Sequence, residues 1–210
     1  MTRVILIRHG ETDWNATGRW QGHAPVPLNE VGMEQAQRLG RYLAAHGPRL
    51  DVLYSSDLKR AMETAAAIAV PQGLSVLPEP GLREIDLGDW QGLTRAEAEA
   101  WDGERYAAYM AAHGGSPPPN GESWEQVKAR ARLAFTSVTA RHNGSSTVAL
   151  VSHGGTIGRL IESLFGAIER PALANTSMTI LEKNAPGAAW ELARLAWTPH
   201  LSDAPLGETW

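Results

Sequence analysis

The chain has 210 residues with a net charge of −4, is 43% hydrophobic and 20% charged, and so holds enough apolar material for one globular domain with a sizeable core. It has no Lys/Arg run and no apolar stretch approaching the ~18 residues of a membrane span, which argues against a nucleic-acid partner and against membrane attachment. Without Cys, disulfides, thiolate metal sites and cysteine nucleophiles are excluded. The opening "MTRVILIRHG" enters a strand with no cationic lead and cleavable apolar region, so no signal peptide is expected and the cytoplasm is the default location.

Short apolar runs at Val4 to Ile7, Val52 to Tyr54, Leu74 to Leu77 and Val148 to Val151 alternate with longer segments of helical period. This rhythm predicts an α/β fold with a mainly parallel sheet. The first run ends on Arg8-His9-Gly10. A helix follows from Asn29 to about Ala45, with Met33, Ala36, Leu39 and Leu43 on one face and Gly47-Pro48 as its stop. In "YSSDLKRAMETAA", Ser55 or Ser56 is expected to cap a helix that carries Arg60 in its first turn. The stretch from about 88 to 121 is punctuated by Gly and Pro. It reads as an insertion over the sheet edge, with helical pieces around Ala96 to Trp101 and Arg105 to Ala112, ending in "GGSPPPNGES". Ser123 and Gln126 then form a capping box for a helix whose Trp124, Val127, Ala131, Phe135 and Val138 recur at helical spacing until Asn143-Gly144. "NTSMTILEKN" and "WELARLAWTPHL" read as a terminal pair of strands ending at His200. No linker or repeat interrupts the chain, so residues 1–210 are expected to form a single domain.

One internal echo stands out. "VILIRHG" and "VALVSHG" both place His and Gly directly after four apolar strand residues. In an open parallel sheet, ligands bind outside the carboxyl ends of the strands, and these two ends would present His9 and His153 together. Either histidine alone would be an ordinary strand-end residue; the matched pair is a candidate site. The other histidines, His23, His46, His113, His142 and His200, read as surface or turn residues, with His200 the one to watch.

Arg8 beside His9 would repel a metal cation but suits a phosphate, whose oxygens match the planar guanidinium fork. Arg60 at a helix start opposes the macrodipole. Either Asp57 and Glu63 offset it locally, or a bound anion lies near the free amides of that turn. Phosphoryl transfer needs a nucleophile, charge neutralisation and an acid for the leaving alkoxide. His9, the two arginines with His153, and one carboxylate would fill those posts. The carboxylate lies in "LREIDLGDWQG", where Glu84 sits among Leu82, Ile85 and Leu87 but competes with Asp86 and Asp89, and periodicity does not choose among the three.

Together "LIRHGETDWN", "SSDLKRAMETA", "LREIDLGDWQG", "NGES" and "SHGG", in this order, resemble the histidine phosphatase superfamily, also called the phosphoglycerate mutase-like family, over nearly the whole chain. The resemblance implies a three-layer αβα sandwich with a mainly parallel sheet and a short insertion over the active site. It implies His9 as a nucleophile that becomes phosphohistidine, Arg8, Arg60 and His153 as the phosphate pocket, and Glu84 as the general acid. Asn15, Gln21, Gly22 and Gly154 match positions that contact phosphate or substrate, although for Asn15 a turn-forming role is nearly as good.

The family contains mutases and phosphatases. A mutase must hold a second anionic group and keep water from the phosphohistidine, which asks for extra cations at the pocket mouth. From Glu84 to Val127 the only Lys or Arg residues are Arg95 and Arg105, among nine carboxylates, while Trp90, Trp101, Tyr106, Tyr109, Met110 and Trp124 supply apolar surface or simply core. The expected activity is therefore metal-independent hydrolysis of small phosphomonoesters with a neutral or partly apolar alcohol. A cofactor-dependent phosphoglycerate mutase and a non-catalytic phospho-ligand binding module are the alternatives. A metallohydrolase is disfavoured by the flanking guanidinium and by the lack of a His-x-x-x-His spacing. The expected partner is a small phosphorylated metabolite, with a homodimer allowed, and no cofactor, metal, nucleic acid or membrane.

Overall fold

The computed structural model describes residues 1–111, 116–142, 144, 146–169 and 171–202. Its centre is one six-stranded sheet built from β1 (Thr2–Arg8), β2 (Val52–Ser55), β3 (Val76–Pro78), β4 (Thr147–Ser152), β5 (Met178–Lys183) and β6 (Glu191–Trp197). The order across the sheet is β3-β2-β4-β1-β5-β6. The β3/β2, β2/β4 and β4/β1 pairs are parallel, and the terminal β5 and β6 are antiparallel, as the closing strand pair leads one to expect.

Because side chains alternate along a strand, each central strand feeds two cores. Val4, Leu6, Val148 and Leu150 point to one face, where they pack on α6 (Trp124–Arg141) and α7 (Gly154–Phe165). Ile5, Ile7, Ala149 and Val151 point to the other, against α2 (Glu30–His46) and α3 (Lys59–Gln72). The result is the three-layer αβα sandwich. The chain leaves β1 through the one-turn α1 (Asp13–Ala16) toward α2, and leaves its neighbour β4 toward α7 on the opposite face. Adjacent parallel strands whose connections diverge leave a crevice at their carboxyl ends.

The local signals explain the helix starts. Asn29 caps α2 through Gly32 N–H at 2.8 Å, and Ser123 and Gln126 form the expected capping box at α6. Two expectations shift. No side chain caps α3, which starts after Leu58; Ser56 Oγ instead accepts from Leu58 N–H and bonds His153. Leu74 belongs to the helix end rather than the strand, since Gly73 takes a left-handed φ of 66° and Leu74 N–H returns to the Ala69 carbonyl. The α6 helix closes at His142; the expected break at Asn143 lies outside the described residues.

The insertion folds as α4 (Arg95–Trp101) and α5 (Gly103–Ala111) around a satellite core of Ile85, Leu87, Trp90, Ala98, Tyr109 and Val127, with Trp20 packed against it. It covers the cleft at the strand ends, as expected of an insertion over the active site, rather than the edge of the sheet alone, for Arg95, Tyr109 and Met110 share that cleft with Arg8 and His9. Ala112, His113, Gly114 and Gly115 lie outside the described residues.

Candidate active site

The in-register pairing of Arg8 with Ser152 brings the next residues, His9 and His153, side by side, with ring centroids 5.0 Å apart. His9 lines a cleft of about 550 Å³, a size that suits a small metabolite, while His153 is fully buried behind it, next to the lining residue Gly154. His9 is 3% exposed, and its Nδ1 lies 2.7 Å from the Gly10 carbonyl. A carbonyl only accepts, so Nδ1 carries the proton and Nε2 keeps its lone pair. Nε2 in turn accepts from Arg60 Nε at 3.3 Å. Burial, and then the charges of Arg60 and Arg8, hold the His9 pKa well below its usual value, so the ring stays neutral.

Arg60 is fully buried and donates to the carbonyls of Gly22 at 2.8 Å and Ala24 at 3.2 Å. Burial lowers it to about 10, which leaves it cationic. The expected local offset is absent: Asp57 pairs with Arg83, and Glu63 accepts from Leu28 N–H. Arg8 donates Nη1 to the Leu173 carbonyl at 2.6 Å, and its Nε has no hydrogen-bond partner among the described residues. The Ser56 hydroxyl accepts from Leu58 N–H and shares a hydrogen bond of 2.8 Å with His153 Nε2. His153 Nδ1 is buried and has no partner among the described residues. The orphaned Arg8 Nε, beside a second guanidinium in an open cleft, is what an oxyanion would satisfy.

Glu84 is selected over Asp86 and Asp89 by position. Its carboxylate lines the cleft and accepts the amides of Gly155 at 3.0 Å and Thr156 at 3.1 Å in the first turn of α7. Asp86 and Asp89 instead bond Gly88 N–H and the Asn120 amide, away from the histidines. Gly155 is required there, because a Cβ would come within 2.6 Å of Glu84 Oε1 and of the Trp124 ring.

Asn15 completes the α1 capping box with Thr12 and also lines the cleft. Gln21, Gly22 and Gly154 line it too. Gly22 must be glycine, since its φ is +49° and a Cβ would meet Gln91 and the Leu87 amide within 3 Å.

Several residues escaped the sequence reading. Arg19, Trp20 and Arg159 line the cleft with Arg95 and Trp124, the last two already singled out in the sequence. Arg159 lies over the Trp124 ring, 4.9 Å from its centroid. A signal for it existed: Arg159 falls one helical turn after Gly155, on the same face of α7. Counting cations only within the insertion therefore understated the charge at the mouth. His23 and His200 are also not plain surface residues. His23 Nε2 bonds the Glu84 carbonyl at 2.8 Å, and His200 is buried. His142 bonds the Tyr54 hydroxyl at 3.0 Å, His46 ends α2, and His113 lies outside the described residues.

Residues 4–198 match the model of the histidine phosphatase superfamily (branch 1), and the chain belongs to that family. It is 38% identical to the glucosyl-3-phosphoglycerate phosphatase of Mycobacterium tuberculosis across 91% of each chain. It is 35% identical to the metal-independent phosphoserine phosphatase of Arabidopsis thaliana across 86% of this chain and 76% of that protein. The solved structure of Bacillus stearothermophilus YhfR superposes with a TM-score of 0.87 at 33% identity, covering 96% of this chain and 100% of that one. The chain is a phosphoric monoester hydrolase of this family.

Proposed function

We propose that this protein hydrolyses phosphate monoesters of small metabolites through a phosphohistidine formed on His9. The observation that carries the reading is the neutral His9 ring, its Nδ1–H fixed on Gly10 and its Nε2 lone pair beside Arg60, in a cleft that also holds the unpartnered Arg8 Nε.

In the first step the His9 Nε2 lone pair forms a bond to phosphorus while the bond from phosphorus to the ester oxygen breaks. Arg8 and Arg60 balance the charge on the equatorial oxygens, the neutral His153 completes the phosphate pocket beside His9, and Glu84 delivers a proton to the departing alkoxide. In the second step Glu84 takes a proton from water, the water oxygen attacks phosphorus, and the P–N bond breaks to give inorganic phosphate and free His9. Neither step asks for a metal, and two guanidiniums beside the two histidines would repel one. The cytoplasmic location expected from the sequence belongs to the same reading.

The arginines at the cleft mouth support an alcohol that bears a second anionic group, which replaces the neutral alcohol expected from composition. Arg19, Arg95 and Arg159 all line the cleft, and the two phosphatase relatives are named for substrates that carry a carboxylate beside the phosphate. The same arginines keep the phosphoglycerate mutase as the second reading.

Phosphate release from a panel of phosphomonoesters in excess chelator tests the proposal, together with rapid quench of labelled substrate. The expected result is an acid-labile, base-stable phosphoenzyme that His9→Ala abolishes. Label on Ser or Asp, or 2-phosphoglycerate forming from 3-phosphoglycerate faster than phosphate is released from any ester, would overturn it.

A further inference from the structure

His200 lies outside the cleft, in the 3₁₀ turn Pro199–Leu201 that follows β6, yet only 5% of it is exposed. Its Nε2 is 2.8 Å from the hydroxyl of Thr176, and that hydroxyl donates its single proton to the Asn175 carbonyl at 2.7 Å. His200 must therefore donate Nε2–H to the hydroxyl, which leaves Nδ1 buried and without a partner among the described residues. The ring is kept for one hydrogen bond.

Thr176 needs that bond. Its φ is 58°, in the left-handed region that a β-branched side chain strongly disfavours. Held there, its amide donates to the carbonyl of Arg8 at 3.0 Å and of His9 at 3.3 Å, and the adjacent Asn175 side chain donates to the His9 carbonyl at 3.0 Å. The backbone that carries His9 runs past the end of β1, beyond the regular ladder with β5, and these donors hold it on that side.

We propose that His200 is a positioning residue for the nucleophile: it ties Thr176 in the left-handed conformation from which the Thr176 amide fixes the peptide between Arg8 and His9. This rests on His9 being the nucleophile. The anchor on the far side is Arg38, which donates Nε to the His200 carbonyl at 2.9 Å. The C-terminal turn thus reaches the cleft through two residues, touching neither substrate nor phosphate.

The test is a double-mutant cycle on the full chain, read as the rate of phosphoenzyme formation in rapid quench, with inorganic phosphate affinity and Tm measured alongside. His200→Leu, which fills the space without the donor, should slow phosphoenzyme formation about 10- to 100-fold, as expected for a displaced nucleophile, while phosphate affinity changes far less. His200→Gln, which can return an N–H to the hydroxyl, should recover most of the rate. Glycine adopts a positive φ without a tether, so in a Thr176→Gly background the His200→Leu substitution should be nearly silent. An unimpaired His200→Leu enzyme, or an equal loss in both backgrounds, overturns the proposal. If His200→Leu alone does not fold, the pair Thr176→Gly and Thr176→Gly/His200→Leu still decides, a large loss between them counting against it. A wild-type enzyme that yields no phosphohistidine would instead refute the nucleophile assignment, which separates the two failures.

Discussion

Glu84 sits on the amides of Gly155 and Thr156, so the candidate acid is held by the helix that begins directly after His153. Strand β4 thereby delivers two parts of one site: an imidazole at its end and, through the first turn of α7, a cradle for a carboxylate from a distant loop. Arg130 secures that loop from below, donating to the carbonyls of Gly81, Arg83 and Glu84 and pairing with Glu122.

If Glu84 protonates the leaving oxygen, Glu84→Gln should damage alkyl phosphate hydrolysis far more than hydrolysis of p-nitrophenyl phosphate, whose leaving group needs little help, with a difference on the order of 10²- to 10⁴-fold. Gly155→Ala should show the same bias in weaker form, because the added methyl displaces Glu84 and Trp124. Equal losses on both esters would remove Glu84 from the acid role.

The buried histidines set the acid limb of stability. Burial first, and then nearby arginines, hold His9 and His153 well below 6.5, and burial with Arg38 holds His200 at about 4. Each binds its proton more readily when unfolded, so the stability is fully present above about pH 6.5 and is lost as pH falls toward and below 4. For His200 the displacement from 6.5 to about 4, at ~1.4 kcal/mol per pH unit, sets a ceiling of about 3 kcal/mol. Tm should drop between pH 7 and pH 4, with a shallower slope in His200→Gln, and NMR titration should find no His9 midpoint near 6.5. A midpoint there would mean that the ring is not kept neutral.

Arg159 lines the cleft beside Trp124, where the proposed second anionic group of the substrate would meet it. Arg159→Gln should raise KM for phosphate esters that carry a carboxylate by about 10-fold or more, the equivalent of one charge-assisted hydrogen bond, and leave p-nitrophenyl phosphate nearly unchanged. A uniform change on both substrates would point to Arg159 acting through its pair with Glu162 at 2.5 Å.

Trp90 anchors the insertion. It is fully buried, meets the Tyr109 ring edge-on at 5.5 Å and packs near Trp20 at 5.7 Å. Trp90→Ala should cost about 3–5 kcal/mol in denaturant unfolding and should speed amide exchange selectively across α4 and α5. A loss no larger than that of Trp101→Ala, whose ring is mostly exposed, would show that the satellite core does not hold the insertion in place.

Much of this architecture was legible one residue at a time. The apolar runs before Arg8 and His153 had to be buried strands, and their shared ending announced a paired site before any register was known. Asn29 and Ser123 declared helix starts because caps are local chemistry, satisfied within three residues of chain. What the sequence did not reveal was set by contacts across long separations. Ser56 looked like a cap and instead orients His153, 97 residues away. Arg159 and Arg19 carry no motif in the sequence, and only the packing of α7 and the residue-19 turn around the cleft makes them part of its lining. Glu84 could not be told from Asp86 by periodicity, because the amides that receive it belong to another helix. Thr176 showed no local mark of its left-handed backbone, since Asn-Thr-Ser carries no glycine and the strain is held by His200 from the far end of β6. Local chemistry therefore determined the strands, the caps and the two histidines, while the charge around them and the tension behind them were decided by side chains that meet only after the sheet has closed.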